Sequence, residues 1–113
     1  MEHRERNNKV RRKMLDEIAD IEAFMTDRQP GELFGDRMCQ KAIVMSLINI
    51  GELSKSFTED YLASMANIPW KAIRGFRNIA AHQYGDIRFE DVYKTVKEDI
   101  PVLKETLVKR GTT

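Results

Sequence analysis

The stretch from Ala42 to Ile50 constrains the fold of this chain more than any other. Its sequence, AIVMSLINI, is apolar on nearly every side of an α-helix, and a helix that is apolar all round is buried all round. The chain has only 113 residues, so one small bundle core cannot easily cover such a helix. We therefore predict an all-α protein in which this helix lies near a homodimer interface.

Apolar residues also recur at helical spacing elsewhere. They predict a first helix over residues 8–28, stopped by Gln29-Pro30-Gly31, and a second from an Asp36 N-cap to Ser56. A short turn should follow Thr58, and another helix should open near Pro69 and close at Gly85. The last helix is predicted over residues 89–110, with a kink or break at Pro101 and a buried face of Phe89, Val92, Tyr93, Val96, Ile100, Leu103 and Leu107.

No strand-like alternation, internal repeat or glycine-rich phosphate loop occurs in the sequence. The expected fold is thus a single domain over residues 1–113, an all-α bundle of four to five helices. A net charge of +1 argues against a polybasic coat. The basic run within residues 1–13 is interpreted as a frayed, solvated helix start rather than an RNA-binding arm. One cysteine and no apolar run of membrane length favour a soluble, cytoplasmic protein without a metal site or membrane partner.

The segment from Arg77 to Tyr84, RNIAAHQY, concentrates the groups suited to catalysis. His82 is one of two histidines in the chain, and Asn78 lies four residues before it, on the same helical face. Arg77 lies about 140° around the axis from His82 and is long enough to reach back. An Arg that holds a phosphate beside a His that moves a proton suits phosphate chemistry. An Arg and a His near a helix C-terminus also often only satisfy the last carbonyls, so spacing alone leaves both interpretations open.

Two further side chains carry alternatives. Glu52 follows the apolar stretch, and we interpret it as a rim position or a structural partner of an Arg, the alternative being that it orients Arg77 or Arg74. Cys39 falls in an apolar helix, which favours a small core residue over a nucleophile.

Several segments in the same order resemble the HEPN superfamily, specifically its HepT-like branch, over about residues 10–107. The similarity covers an Arg, four residues, a His, one residue and a Tyr, together with the pieces Asp36-Arg37, Ile50-Gly51-Glu52, Ile68-Pro69-Trp70, Arg77-Asn78 and Asp99-Ile100-Pro101-Val102-Leu103. One departure is Gln83, where the family often has Gly. It alters the helix end at most and affects no catalytic role.

The resemblance implies a metal-independent ribonuclease toxin of a two-gene, type VII-like toxin–antitoxin system. It implies a dimer whose two motifs line one cleft for RNA, with Arg77 and His82 catalytic, Asn78 supporting them, and no cofactor. The family's partner is MntA, a minimal nucleotidyltransferase that silences the toxin by adding AMP to the tyrosine corresponding to Tyr84. Two other functions remain open, a non-catalytic nucleic-acid or nucleotide-binding partner of such a transferase and a helical dimerisation domain.

Overall fold

A computed structural model describes residues 2–76, 78 and 88–111, and every regular element within them is an α-helix. The all-α prediction is therefore confirmed. None of the helices in these ranges is long and apolar enough to cross a membrane. The helices whose bounds fall within the described residues are α1 (Glu2–Met25), α2 (Pro30–Phe34), α3 (Arg37–Ser54), α4 (Glu59–Ala63), α5 (Trp70–Gly75) and α6 (Phe89–Arg110).

The core lies between α1, α3 and α6, and α5 packs against α3 and adds Trp70 and Ile73 to it. The predicted stripes supply most of it, since burying apolar side chains is the main favourable term in folding. The most completely buried apolar residues are Met14, Ile18, Ile21, Leu33, Ile43, Leu47, Ile50, Met65, Leu103 and Leu107.

The first helix begins earlier than its apolar pattern predicts. The basic segment was predicted to fray, but it is helical from Glu2 and is anchored by its side chains. Asn7, which is 6% exposed, donates from Nδ2 to Thr58 Oγ1 at 3.0 Å and accepts from the Thr58 backbone N–H at 3.1 Å. Arg6 Nε donates to the Ser56 carbonyl at 2.8 Å. These tertiary bonds leave no trace in helical periodicity, which is why the sequence alone suggested a later start.

The first helix also ends earlier than predicted. It stops at Met25, and Asp27 adopts the left-handed conformation with φ 59°, which short polar side chains tolerate better than most. Pro30, expected only to stop a helix, opens the unpredicted helix α2, because proline suits the first helical position.

The last helix has the bounds that the sequence predicts. Its residues Val92, Val96, Ile100, Leu103 and Leu107 are buried, while Phe89 and Tyr93 are half-buried. The helix is continuous through Pro101, so it does not break there, and of the two predicted alternatives only the kink stays a prediction. Buried side chains immediately before and soon after the proline hold both halves on the core, which offsets the lost backbone hydrogen bond.

Asp36 caps α3 as predicted and also joins it to the turn after α1. Its Oδ1 accepts from the Cys39 backbone N–H at 3.0 Å, and Arg28 Nη2 lies 2.7 Å from its Oδ2. The hydrogen bond from Arg28, followed by that from Cys39, lowers the pKa of Asp36 below its ordinary value.

We expect Asp36→Asn to lower the melting temperature at neutral pH. The difference in melting temperature between the variant and wild type should become smaller in acid. A carboxyl with a lowered folded-state pKa stabilises the fold above its unfolded pKa, and that contribution is lost as pH falls through the folded value. Thermal melts from neutral pH down to about pH 2.5 measure the effect, with the exposed α1 residue in Asp20→Asn as the matched control. Identical melting of Asp36→Asn and wild type at pH 7 would contradict the proposed role of the cap.

Candidate active site

The predicted motif lies between α5 and α6. The helix predicted from near Pro69 to Gly85 is interrupted, because α5 ends at Gly75 and Phe76 lies in a turn. Arg77, His82 and Tyr84 fall outside the described residues, as does the predicted helix end at Gly85. Asn78 is described, and it is helical and exposed. The structure thus defines how the chain enters and leaves the motif.

The entry to the motif is anchored by a buried tryptophan. Trp70 begins α5, as predicted, and its indole Nε1 donates to the Met65 carbonyl at 3.2 Å. Its ring meets Phe57 edge-on at 5.7 Å between centroids. One turn later Ile73 is also buried, against the core that α3 supplies. These contacts hold α5 on the core, close to the point in the chain where the motif begins.

Arg74 is a cation near the motif that sequence analysis considered only as a partner for Glu52. It lies at the end of α5, three residues before Arg77, and it is half-buried. Within the described part of the chain its Nε is buried without a hydrogen-bond acceptor. Buried donors are normally paired, so such a group identifies a place where an acceptor is expected. The half-burial that marks Arg74 could not be read from its position in the sequence.

The exit from the motif is anchored by aromatic rings. Arg88 precedes α6, and its Nη2 lies 2.9 Å from Glu90 Oε2 in an exposed ion pair. Phe89 follows, with its ring edge-on to Phe34 at 5.3 Å, and Phe34 also meets Tyr93 at 5.6 Å. This cluster ties the start of α6 to α2.

The other candidate residues have structural partners. Glu52 is exposed, as expected of a rim position, and it pairs at 3.5 Å with Lys55, the residue that follows α3; no Arg of the described residues forms an ion pair with it. Cys39 is half-buried, packs against the core and donates from Sγ to the Phe24 carbonyl at 3.5 Å, in agreement with a packing role. Among the described residues, no group of three or more His, Cys, Asp or Glu is arranged to hold a metal ion.

A groove of about 630 Å³ runs along the seam between α1 and α6. Its described floor is apolar, formed by residues such as Ile21, Met25 and Ile100, and the Lys104–Glu22 ion pair crosses it at 2.8 Å. This lining offers packing surface rather than groups for acid–base chemistry, so the α5–α6 connection remains the candidate active site.

The fold and the site define a class: a small all-α bundle with an Arg-x4-His-x-Tyr motif on the connection between α5 and its last helix. Residues 14–109 match the model of the family described as "Ribonuclease HepT-like". The chain belongs to this family, a branch of the HEPN superfamily.

Curated relatives agree with this assignment. The chain is 34% identical over 92 residues to "Putative RNase MJ1380" of Methanocaldococcus jannaschii, covering 81% of this chain and 84% of the relative. It is 34% identical over 94 residues to "Probable ribonuclease HepT" of Thermococcus cleftensis, covering 80% and 86%. A 29% identity over 101 residues links it to "Putative RNase TTE0752" of Caldanaerobacter subterraneus, covering 86% and 90%. No solved structure matches the chain significantly.

The segments that carried the resemblance outside the motif are mostly packing and capping elements. Asp36 caps α3, and Gly51 is buried in the same helix. Ile68 and Trp70 anchor the start of α5, while Ile100 holds α6 in the core. These segments therefore support the helices on either side of the motif.

Proposed function

We propose that this protein is a metal-independent endoribonuclease that uses Arg77 and His82. The observation that carries the proposal is the complete Arg-x4-His-x-Tyr motif in a chain that belongs to the HepT-like ribonuclease family. Relatives named as RNases support the same activity. The two anchored helices that flank the motif support a preorganised site.

RNA carries its own nucleophile, the 2′-hydroxyl, so the protein needs to move protons and hold a phosphate. His82 of one subunit removes the 2′-hydroxyl proton as the 2′-oxygen bonds to phosphorus. The bond from phosphorus to the 5′-oxygen breaks, and the His82 of the second subunit protonates that oxygen. Arg77 holds the phosphate and stabilises the charge that builds on it, while Asn78 positions Arg77 or a phosphate oxygen. The products carry a cyclic 2′,3′-phosphate and a free 5′-hydroxyl.

Purified protein should cut single-stranded RNA in excess EDTA, because Arg77 and His82 supply the charge and the proton transfer that a metal would otherwise provide. The measurement is gel analysis of a labelled oligonucleotide, with end-group assay for the cyclic phosphate. Activity that disappeared with EDTA and returned with Mg²⁺ would contradict the mechanism. RNA that is bound but never cut would favour the alternative function, a non-catalytic binding partner of a nucleotidyltransferase.

The proposed site needs two subunits, and α3 presents a face for the second. Even in the folded chain Met38 is 80% exposed and Met45 is 56% exposed, although both are large apolar side chains on a helix that supplies much of the core. They are seven residues apart, so they share one side, with the half-buried Ala42 between them. Among the described residues, this side of α3 stays exposed, whereas one chain by itself buries most of the apolar stretch that the sequence predicted to need a second subunit, including Ile43, Val44 and Leu47. We therefore place the homodimer interface on the Met38–Met45 face of α3.

Met45→Glu should convert the dimer to a monomer at micromolar concentration, because each subunit would bury an unpaired carboxylate in an apolar contact. Analytical ultracentrifugation of the full chain measures the change. Val102→Glu is the matched control, since Val102 is 45% exposed but lies on α6. A wild type that is monomeric would contradict this interface. So would a result in which Val102→Glu is monomeric and Met45→Glu stays dimeric.

Regulation by AMP transfer completes the proposal. The family resemblance pairs such a toxin with an MntA-like minimal nucleotidyltransferase, and Tyr84 occupies the position of the modified tyrosine. AMP joined to Tyr84 places a phosphodiester with one negative charge near Arg77 and His82. That charge competes for the Arg that holds RNA, and the adenosine fills the cleft.

A further inference from the structure

A polar cleft of about 580 Å³ lies where the start of α1 meets α4 and the end of α6. Its walls include His3, Arg4 and Asn8 from α1, Tyr61 from α4 and Arg110 from α6. Neither the proposed chemistry nor the proposed dimer interface uses these residues.

The start of α1, which contributes Arg4 to this cleft, carries an excess of positive charge. Residues 1–13 hold six Arg or Lys against two Glu, a net of +4 in a chain whose total is +1. Arg4, Lys9 and Arg12 are exposed on the described helix. A local basic surface on a nearly neutral protein attracts a polyanion to that surface without causing non-specific binding of nucleic acid over the whole protein.

The basic helix start is rigidly docked on the body of the protein. The reciprocal bonds between Asn7 and Thr58 fasten it to the start of α4, and Arg6 binds the Ser56 carbonyl. Further along, Arg11 Nη1 donates to the carbonyl of Leu107 on α6 at 3.3 Å. Because these bonds join α1 to both other walls, the cleft is preorganised, which lowers the entropic cost of binding.

Planar groups line the cleft beside the charges. Tyr61 packs on Phe57 with 4.9 Å between ring centroids and is half-exposed on the side of the cleft. The Arg110 guanidinium carbon lies 4.9 Å from the centre of the Tyr61 ring. Aromatic rings and guanidinium planes are the groups on which single-stranded bases stack. Asp60 also lines the cleft, and its carboxylate accepts hydrogen bonds from base amino groups, whereas it would repel a simple phosphate.

We propose that this N-terminal cleft is an accessory binding site for single-stranded RNA, separate from the cleavage motif. Arg4 contacts the phosphate backbone, and the Tyr61–Arg110 pair stacks with a base. The choice of RNA as ligand rests on the proposed ribonuclease function. The cleft binds the part of a long RNA that extends beyond the scissile bond. It therefore strengthens the binding of long RNA and not of very short oligonucleotides.

The test uses full-length protein in the His82→Ala background, so that bound RNA is not cut, and fluorescence anisotropy with a 20-nucleotide single-stranded RNA. Arg4→Glu should raise Kd about ten-fold and reduce the salt slope by about 0.7, the share of one phosphate contact. Tyr61→Leu, which keeps an apolar contact with Phe57, should raise Kd at least about five-fold. Lys94→Glu is the matched control. It makes the same change of charge on α6, about 24 Å along the helix axis from Arg110.

A second measurement separates this proposal from the proposed function. With His82 intact, Arg4→Glu should raise KM for the 20-nucleotide RNA without changing kcat, and leave cleavage of a tetranucleotide unaffected. Normal cleavage and binding of both RNAs by Arg4→Glu and Tyr61→Leu would overturn the accessory site and leave the ribonuclease proposal standing. The wild type could instead cut no RNA while both variants bind RNA more weakly than the wild type. That result would support the accessory site and refute the ribonuclease proposal. If Arg4→Glu weakened only the complex with the nucleotidyltransferase, the cleft would be a protein-docking surface and the RNA proposal would be wrong.

Discussion

His82→Ala should lower the rate of RNA cleavage by about a hundred-fold to ten-thousand-fold, the range that a positioned general acid–base contributes. In the proposed dimer the same change removes the base and the acid together, so the upper part of the range is expected. Arg77→Ala should cost about a hundred-fold to a thousand-fold, through lost stabilisation of the charged transition state. The measurement is initial rates on a tetranucleotide, which isolates the motif from the N-terminal cleft.

His3→Ala is the matched control for this experiment, because His3 is the other histidine of the chain and is exposed on α1. It should keep the wild-type rate on the tetranucleotide. The melting temperature of His82→Ala should stay near that of wild type, whereas a histidine that only capped a helix would lose about 1 kcal/mol of stability and no activity. Full nuclease activity in His82→Ala protein, free of contaminating ribonuclease, would refute the mechanism.

Tyr84→Phe should abolish neutralisation by the nucleotidyltransferase while leaving the nuclease active. Phenylalanine keeps the ring and removes the hydroxyl that accepts AMP, so the variant should still arrest growth when the partner is present. Wild-type protein incubated with the partner and ATP should gain one or more AMP units on Tyr84 and lose ribonuclease activity. Intact mass measurement and peptide mapping follow the adduct, and a growth assay follows the toxicity.

Tyr93→Phe provides the matched control, since Tyr93 is half-buried on α6 and its ring packs against Phe34. That variant should be modified and neutralised like wild type. Normal neutralisation of Tyr84→Phe would mean that the partner inhibits by binding alone. Tyr84 would then have the structural role of many partly buried tyrosines, packing its ring and donating its hydroxyl to a carbonyl.

Helical periodicity was enough to predict the long elements of the fold. The bounds of α6 and its buried face follow from apolar spacing, because that spacing is a direct record of which side meets the core. The Asp36 cap and the start of α5 at Trp70 were predictable for a similar reason, since caps and prolines act within a few residues of themselves. The candidate catalytic residues also came from sequence, through the motif and the family it belongs to.

Tertiary contacts decided what local patterns could not. The basic start of α1 is ordered because Asn7 and Arg6 bind backbone and side chains some 50 positions away in the sequence, and no local signal records such partners. The continuity of α6 through Pro101 likewise depends on burial against other helices. The sequence by itself therefore determined the long helices and the family to which the chain belongs. Only the tertiary structure brought Arg4, Tyr61 and the end of α6 into one cleft, because that arrangement depends on how separate helices pack.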